Sequence, residues 1–206
     1  MPEPRLLDYG ERALLVQADP EDVPRLTVAL AGLAGVEIVP AAGSLLLRPA
    51  AVDAIAELRT TVAAVIGRPL PPAPSAGTGT LQTIPVVYDG PDLAAVGDLT
   101  GLGAGGVVAA HTATPWRVAF CGFAPGFAYL ADGDPRLVVP RRADPRTSVP
   151  AGSVGLAGEF SGIYPRSSPG GWQLIGRTDA ELWDPGRTPP ALLGPGTWVR
   201  FEAMQP

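Results

Sequence analysis

From Gly67 to Gly79 the chain reads Gly-Arg-Pro-Leu-Pro-Pro-Ala-Pro-Ser-Ala-Gly-Thr-Gly. Proline has a fixed φ and no amide hydrogen, so neither a helix interior nor a central strand can pass through such a run. Residues 67–79 therefore read as a linker, and the chain must fold as two units, 1–66 and 80–206. Its 206 residues supply enough interior for both. Gly 26 and Pro 25 bring the composition near that of disordered chains, but 46% hydrophobic against 17% charged residues argues for a folded, loop-rich, β-rich protein.

In the first unit, Leu6-Leu7 and Ala13 to Val16 read as short strands. Asp19 is placed to cap a helix, with Pro20 at its first position and Glu21 and Asp22 in its positive first turn. Val23, Leu26, Leu30 and Leu33 then recur at helical spacing as far as Gly35. Val36 to Val39 and Ser44 to Leu47 flank Pro40-Ala41-Ala42-Gly43 as a hairpin. A second helix over Ala50 to Ile66 puts Val52, Ile55, Leu58 and Val62 on one face. This order predicts an α+β, ferredoxin-like sandwich. Nothing in it suggests catalysis.

In the second unit, Leu81 to Tyr88 reads as a strand, and Pro91 to Thr100 and Gly103 to His111 as two short helices. Beyond Phe120 the chain is dense in Gly and Pro, with short strands at Ser153 to Ala157, Trp172 to Ile175 and Thr197 to Phe201. That texture predicts a closed or sandwiched β structure with functional loops.

Three scarcities exclude whole mechanisms. A single Cys, Cys121, rules out an internal disulfide and a Cys-rich zinc site, and a single His, His111, rules out a His-pair site, so no metal site is expected. All 15 basic residues are Arg, which excludes a P-loop Lys, a Schiff-base Lys and a biotin-carrying Lys. A net charge of −5 speaks against nucleic acid as a partner. No apolar run approaches the ~18 residues of a membrane span. Met1-Pro2-Glu3-Pro4-Arg5 lacks the basic-then-apolar pattern of a signal peptide, so a soluble, cytoplasmic protein is expected.

Four stretches can carry chemistry. Phe120-Cys121-Gly122-Phe123-Ala124-Pro125-Gly126-Phe127 leads into Tyr129, a Pro-Gly turn whose aromatic rings suit either a pocket wall or a core. Arg136, Arg141, Arg142, Arg146, Arg166 and Arg177 face only Asp144 and Glu159 within residues 136–177. Such planar donor forks in an acidic chain point to a small anion, or to solvated surface Arg. Val149 to Gly158, with Gly152, Ser153 and Gly155, can present backbone N–H groups to an anion or can pack tightly. Tyr164, Gln173, Arg177 and Thr178 would add donors and acceptors beside Trp172, a wall or a buried anchor.

His111 is a candidate for proton transfer and equally a cap for its helix end. Cys121 has no second His to activate it. Trp116, Trp183 and Trp198 are candidate interface anchors or core residues.

Phe123 to Leu130, Pro140-Arg141-Arg142, Pro150 to Gly155, Gly162 to Pro165 and Ser168 to Thr178 resemble, in order, the family of the B-type 5-oxoprolinase subunit, also called the KipI type or allophanate hydrolase subunit 1. The resemblance implies a small N-terminal α+β domain and a C-terminal cyclophilin-like β-barrel. It implies a complex with a C-type 5-oxoprolinase subunit, or allophanate hydrolase subunit 2, and with a separate A-type partner. Such a complex opens 5-oxo-L-proline to L-glutamate with ATP, bound at a site not made by this chain alone. Other members of the family inhibit a sporulation histidine kinase or form part of a urea carboxylase carboxyltransferase. His111 matches the family, but Phe160-Ser161 stands where Gln-Thr is usual, and the usually charged helix over Gly101 to Ala110 is almost bare. The expected binding residues are Arg141, Arg142, Arg146, Tyr164, Gln173 and Arg177, walled by Phe123, Pro125, Gly126, Phe127 and Trp172.

Overall fold

The computed structural model describes residues 3–75 and 79–205. It divides into two compact units, Met1–Ser75 and Ala76–Pro206. Of the expected linker, residues 76–78 lie outside the described residues. Its earlier part is tied down: Arg25 donates to the carbonyls of Pro71 at 2.9 Å and Leu70 at 3.2 Å.

The first unit runs β1 (Arg5–Tyr9), β2 (Ala13–Gln17), α1 (Val23–Leu30), β3 (Val36–Ala41), β4 (Ser44–Pro49) and α2 (Ile55–Ile66). The sheet order is β1-β2-β4-β3, antiparallel throughout. Both helices pack on one face, over a core of Leu14, Val16, Val23, Leu26, Leu30, Leu45, Leu47, Leu58 and Val62. This corrects the ferredoxin-like expectation. A strand that would follow the second helix in that fold here precedes everything else, as edge strand β1. The split β2-α1-β3 crossover, with β4 inserted between its strands, is retained.

Two local differences have clear causes. Helix α1 starts after Asp22, not Asp19, because Asp19 closes a turn with Asp22 (N–H to O, 2.9 Å) and Pro24 occupies the first helical turn. The Asp22 carboxylate pairs with Arg25 at 2.7 Å instead of capping. Strand β3 continues through Pro40, which pairs with Leu45, since an edge strand tolerates a missing amide hydrogen.

The second unit contains β5 (Thr80–Val87), α3 (Leu93–Thr100), α4 (Gly103–Ala113), β6 (Trp116–Cys121), β7 (Ala128–Ala131), β8 (Arg146–Val149), β9 (Ser153–Ala157), β10 (Phe160–Ile163), β11 (Ser168–Gly170), β12 (Gln173–Arg177) and β13 (Thr197–Met204). Seven strands close a barrel in the order β10-β7-β6-β13-β5-β12-β9, with β13 parallel to β5. Strands β8 and β11 form a separate two-stranded ribbon. The interior is filled by Ile84, Val86, Val118, Leu130, Val154, Leu156, Ile175, Val199 and Phe201, among others. Among the described residues, no single helix is long and apolar enough to cross a membrane.

The turn after β5 is laced to β12 by Gly90 N–H to Ile175 O at 3.2 Å and Asp92 N–H to Leu174 O at 2.9 Å. A Cβ at Gly90 would be driven into the backbone of Leu174, Ile175 and Gly176, closer than real Cβ atoms approach. Gly90→Ala should therefore cost about 3 kcal/mol. The check is the urea midpoint of the barrel unit, and an unchanged midpoint would count against this close approach.

Candidate functional site

The β6–β7 loop turns through Ala124 N–H to Gly122 O at 2.8 Å and Phe127 N–H to Ala124 O at 3.0 Å. Gly126 has φ +83° and packs against Leu182 and Trp183, so the turn needs glycine there. Phe123 also has φ +67°, a conformation a bulky residue rarely adopts, and the residue is 59% exposed. Phe127 lies at the centre of a ring cluster, with centroids 5.4 Å from Phe123, 5.4 Å from Tyr164, 5.5 Å from Trp172 and 5.0 Å from Tyr129. Phe127, Tyr164 and Trp172 are buried, so both readings of this stretch hold at once: a core underneath and one exposed ring at its edge.

The arginines prove to be organised by a carboxylate that the sequence alone does not single out. Buried Asp92 accepts from Arg142 Nη1 at 2.9 Å and Arg146 Nη2 at 2.8 Å on Oδ1, and from the Leu174 N–H at 2.7 Å on Oδ2. Burial works to raise its pKa. The Arg146 hydrogen bond, the Leu174 N–H and the two guanidinium charges outweigh that and hold the carboxyl below its ordinary value. Arg177 pairs with Asp89 at 2.9 Å, and Arg136 with Asp134. Arg141 lies 6.0 Å over the Trp172 ring. Gln173 donates to Pro140 O at 3.2 Å, which fastens the Arg141–Arg142 segment to the barrel.

The expected anion cradle at Val149 to Gly158 is corrected. Gly152 N–H goes to Tyr164 O at 2.7 Å, Ser153 N–H to Pro150 O at 3.3 Å and Gly158 N–H to Val139 O at 2.7 Å. Gly155 lies inside β9, paired with both β10 and β12. These amides are spent on the fold. Gly152, at φ +79°, is required because a side chain would strike the Thr178 carbonyl. Beside it, a cleft of about 340 Å³ is lined by Gly152, Tyr164, Thr178, Asp179, Glu181 and Trp183.

His111 lies elsewhere, wholly inside the barrel. Its Nδ1 is 2.7 Å from the Tyr88 hydroxyl and its Nε2 2.8 Å from Ser161 Oγ. Its ring stacks on Phe201 at 4.2 Å. Burial drives its pKa down to about 3 and pushes the Tyr88 phenol up. A neutral, enclosed imidazole neither caps the end of α4 through its charge nor meets a ligand at the surface; it joins three elements of the core. Trp116 and Trp198 are buried too, which removes them as interface anchors, whereas Trp183 stays 39% exposed.

Thus the structure gathers Arg141, Arg142, Arg146, Phe123, Phe127, Tyr164, Trp172 and Gln173 around one side of the barrel. It sends Arg177 to a surface pair with Asp89 and His111 to the interior. The layout is a split sheet-and-helix unit followed by a closed barrel with arginines and aromatic rings around one side. The chain belongs to the family described as carboxyltransferase domain, subdomain C and D, which matches residues 4–193. It is similar to the B-type 5-oxoprolinase subunit of Escherichia coli O157:H7, at 53% identity over 121 residues, covering 57% of this chain and 56% of that protein. The equivalent 5-oxoprolinase subunit of Bacillus subtilis (strain 168) is 47% identical over 121 residues, 57% of this chain and 50% of that one. The match thus spans about half the length of these curated relatives. The crystal structure of PH0987 from Pyrococcus horikoshii is 34% identical and covers 98% of both chains, with a TM-score of 0.59. The Kluyveromyces lactis urea carboxylase shares the fold, with a TM-score of 0.67 at 19% identity over 98% of this chain and 22% of its own.

Proposed function

We propose that this chain is one component of an ATP-dependent 5-oxoprolinase that opens 5-oxo-L-proline to L-glutamate. The observation that carries this reading is the 53% identity, over 121 residues, to the B-type 5-oxoprolinase subunit of Escherichia coli. In such an enzyme the lactam is activated by phosphoryl transfer from ATP to its carbonyl oxygen. Water then attacks the carbonyl carbon and the C–N bond breaks, giving γ-glutamyl phosphate beside ADP, and a second water cleaves that acyl phosphate to glutamate and phosphate. With no Lys and no P-loop, this chain is assigned substrate binding, and the ATP site to its partners. Those partners are a C-type 5-oxoprolinase subunit, or allophanate hydrolase subunit 2, and a separate A-type protein.

Co-expression of the three proteins should yield ADP and glutamate from 5-oxoproline, while the chain alone should yield neither. Full turnover by the isolated chain, or none by the complex, would overturn the reading. Inhibition of a sensor histidine kinase, or a carboxyltransferase role with urea, would become the better account in the second case.

A further inference from the structure

The group around Asp92 is not electrically neutral. Two guanidiniums, with side chains 33% and 23% exposed, share one buried carboxylate, so one positive charge is left over there. Arg146 Nη1 is closed off from solvent and meets no hydrogen-bond acceptor, and Ser168 Oγ is in the same condition. Buried polar atoms left unpaired are few in native proteins, and each calls for an explanation such as a bound ion or an ordered water.

The two orphans sit on one ribbon. Arg146 on β8 pairs with Gly170 on β11, and Ser168, two residues back on β11, pairs with Val149 across a register shift in the ribbon. Alternate residues of a strand share a face. The face in question is known, because a side chain at Gly170 would point straight into the Tyr164 hydroxyl. Arg146, Gly170 and Ser168 therefore cover Tyr164 together. Arg141 and Arg146 both act on the Tyr164 phenol, their charges working against the burial that raises its pKa. Arg141 itself has no carboxylate partner among the described residues and rests on Trp172. Surplus positive charge, a spare guanidinium N–H and a spare hydroxyl form a donor set that suits a small oxyanion.

We propose that the β8–β11 ribbon roofs a binding site for one small oxyanion, held by Arg146 Nη1 and Ser168 Oγ, with Arg141 supplying a further charge beside Tyr164. The choice of oxyanion rests on the function proposed above: the carboxylate of 5-oxoproline or a phosphate. The isolated chain is titrated with 5-oxo-L-proline, with 2-pyrrolidinone (the same lactam without a carboxylate) and with inorganic phosphate, following tryptophan fluorescence and heat. Saturable binding of 5-oxoproline but not of 2-pyrrolidinone supports the site and assigns it to a carboxylate. Saturable binding of phosphate alone supports the site and assigns it to phosphate. Ser168→Ala and Arg146→Lys should each weaken the bound anion tenfold or more; should Arg146→Lys fail to fold, Ser168→Ala decides. No saturable anion binding by the wild type, or equal binding by folded variants, overturns the site. Turnover by the co-expressed complex is measured in parallel. Turnover by the complex with no variant-sensitive binding sinks the site and leaves the oxoprolinase reading standing, while variant-sensitive binding without turnover does the reverse.

Discussion

Asp92→Ala is expected to cost the barrel unit about 3–5 kcal/mol, among the largest effects of any single substitution in this chain. The carboxylate neutralises one of the two guanidiniums on it and accepts the Leu174 N–H, so its removal strands two charges and one buried donor. It also releases residues 142–146 from the start of α3, separating the ribbon from the barrel. The loss should appear as a lower urea midpoint in tryptophan fluorescence. Adding Arg142→Met and Arg146→Met to Asp92→Ala should recover part of it, because replacing a whole buried charged set by apolar groups is often close to neutral. A loss below about 1 kcal/mol, or no recovery in the triple variant, would mean that the three side chains are a solvated surface group.

The expected positions of β9, of the helices over residues 93–100 and 103–113 and of the helix end at Ile66 lie close to those observed. Each depends on local chemistry: small and apolar residues between Gly-rich turns, a glycine at Gly101 in the left-handed conformation, a Pro-rich run. The first unit's topology is less legible. Its element order is written locally, but the sheet neighbours of β1 follow from long-range pairing that no local pattern encodes. The same limit governs the site. Six arginines within residues 136–177 look like an open anion patch because the acids that pair with two of them and with Arg177, Asp92 and Asp89, lie some fifty or more residues away. Asp92 follows Gly90-Pro91 at a helix start and so passes for an ordinary cap. Its carboxylate makes no cap bond and is turned toward the arginines instead. Ser161, whose hydroxyl is one of the two partners of the buried histidine, lies 50 residues from it, and no local pattern marks the pairing.

That histidine gives the other large effect, a dependence of stability on pH. In the folded chain the His111 pKa is pushed down to about 3 by burial, against an ordinary value of 6.5. Between those values the unfolded chain binds a proton that the folded chain refuses. Stability therefore rises with pH across this window and falls as the solution is acidified below about 6.5, at up to roughly 1.4 kcal/mol per pH unit. The depressed carboxyls of Asp92 and Asp134 also lose their contribution on acidification, but only below the ordinary carboxylate value of 3.8. Unfolding between pH 7.5 and 4.5 thus isolates the imidazole. The wild type should lose about 2–3 kcal/mol over that interval. His111→Gln, whose amide can still meet Tyr88 and Ser161, should start less stable at pH 7.5 and show a nearly flat profile. Its turnover in the complex, per folded molecule, should stay near that of the wild type, whereas a proton-transfer residue would lose roughly a hundredfold or more. A wild-type profile as flat as the variant's would show that the ring is hydrated and titrates normally, and a collapse of turnover in the folded variant would return His111 to the reaction.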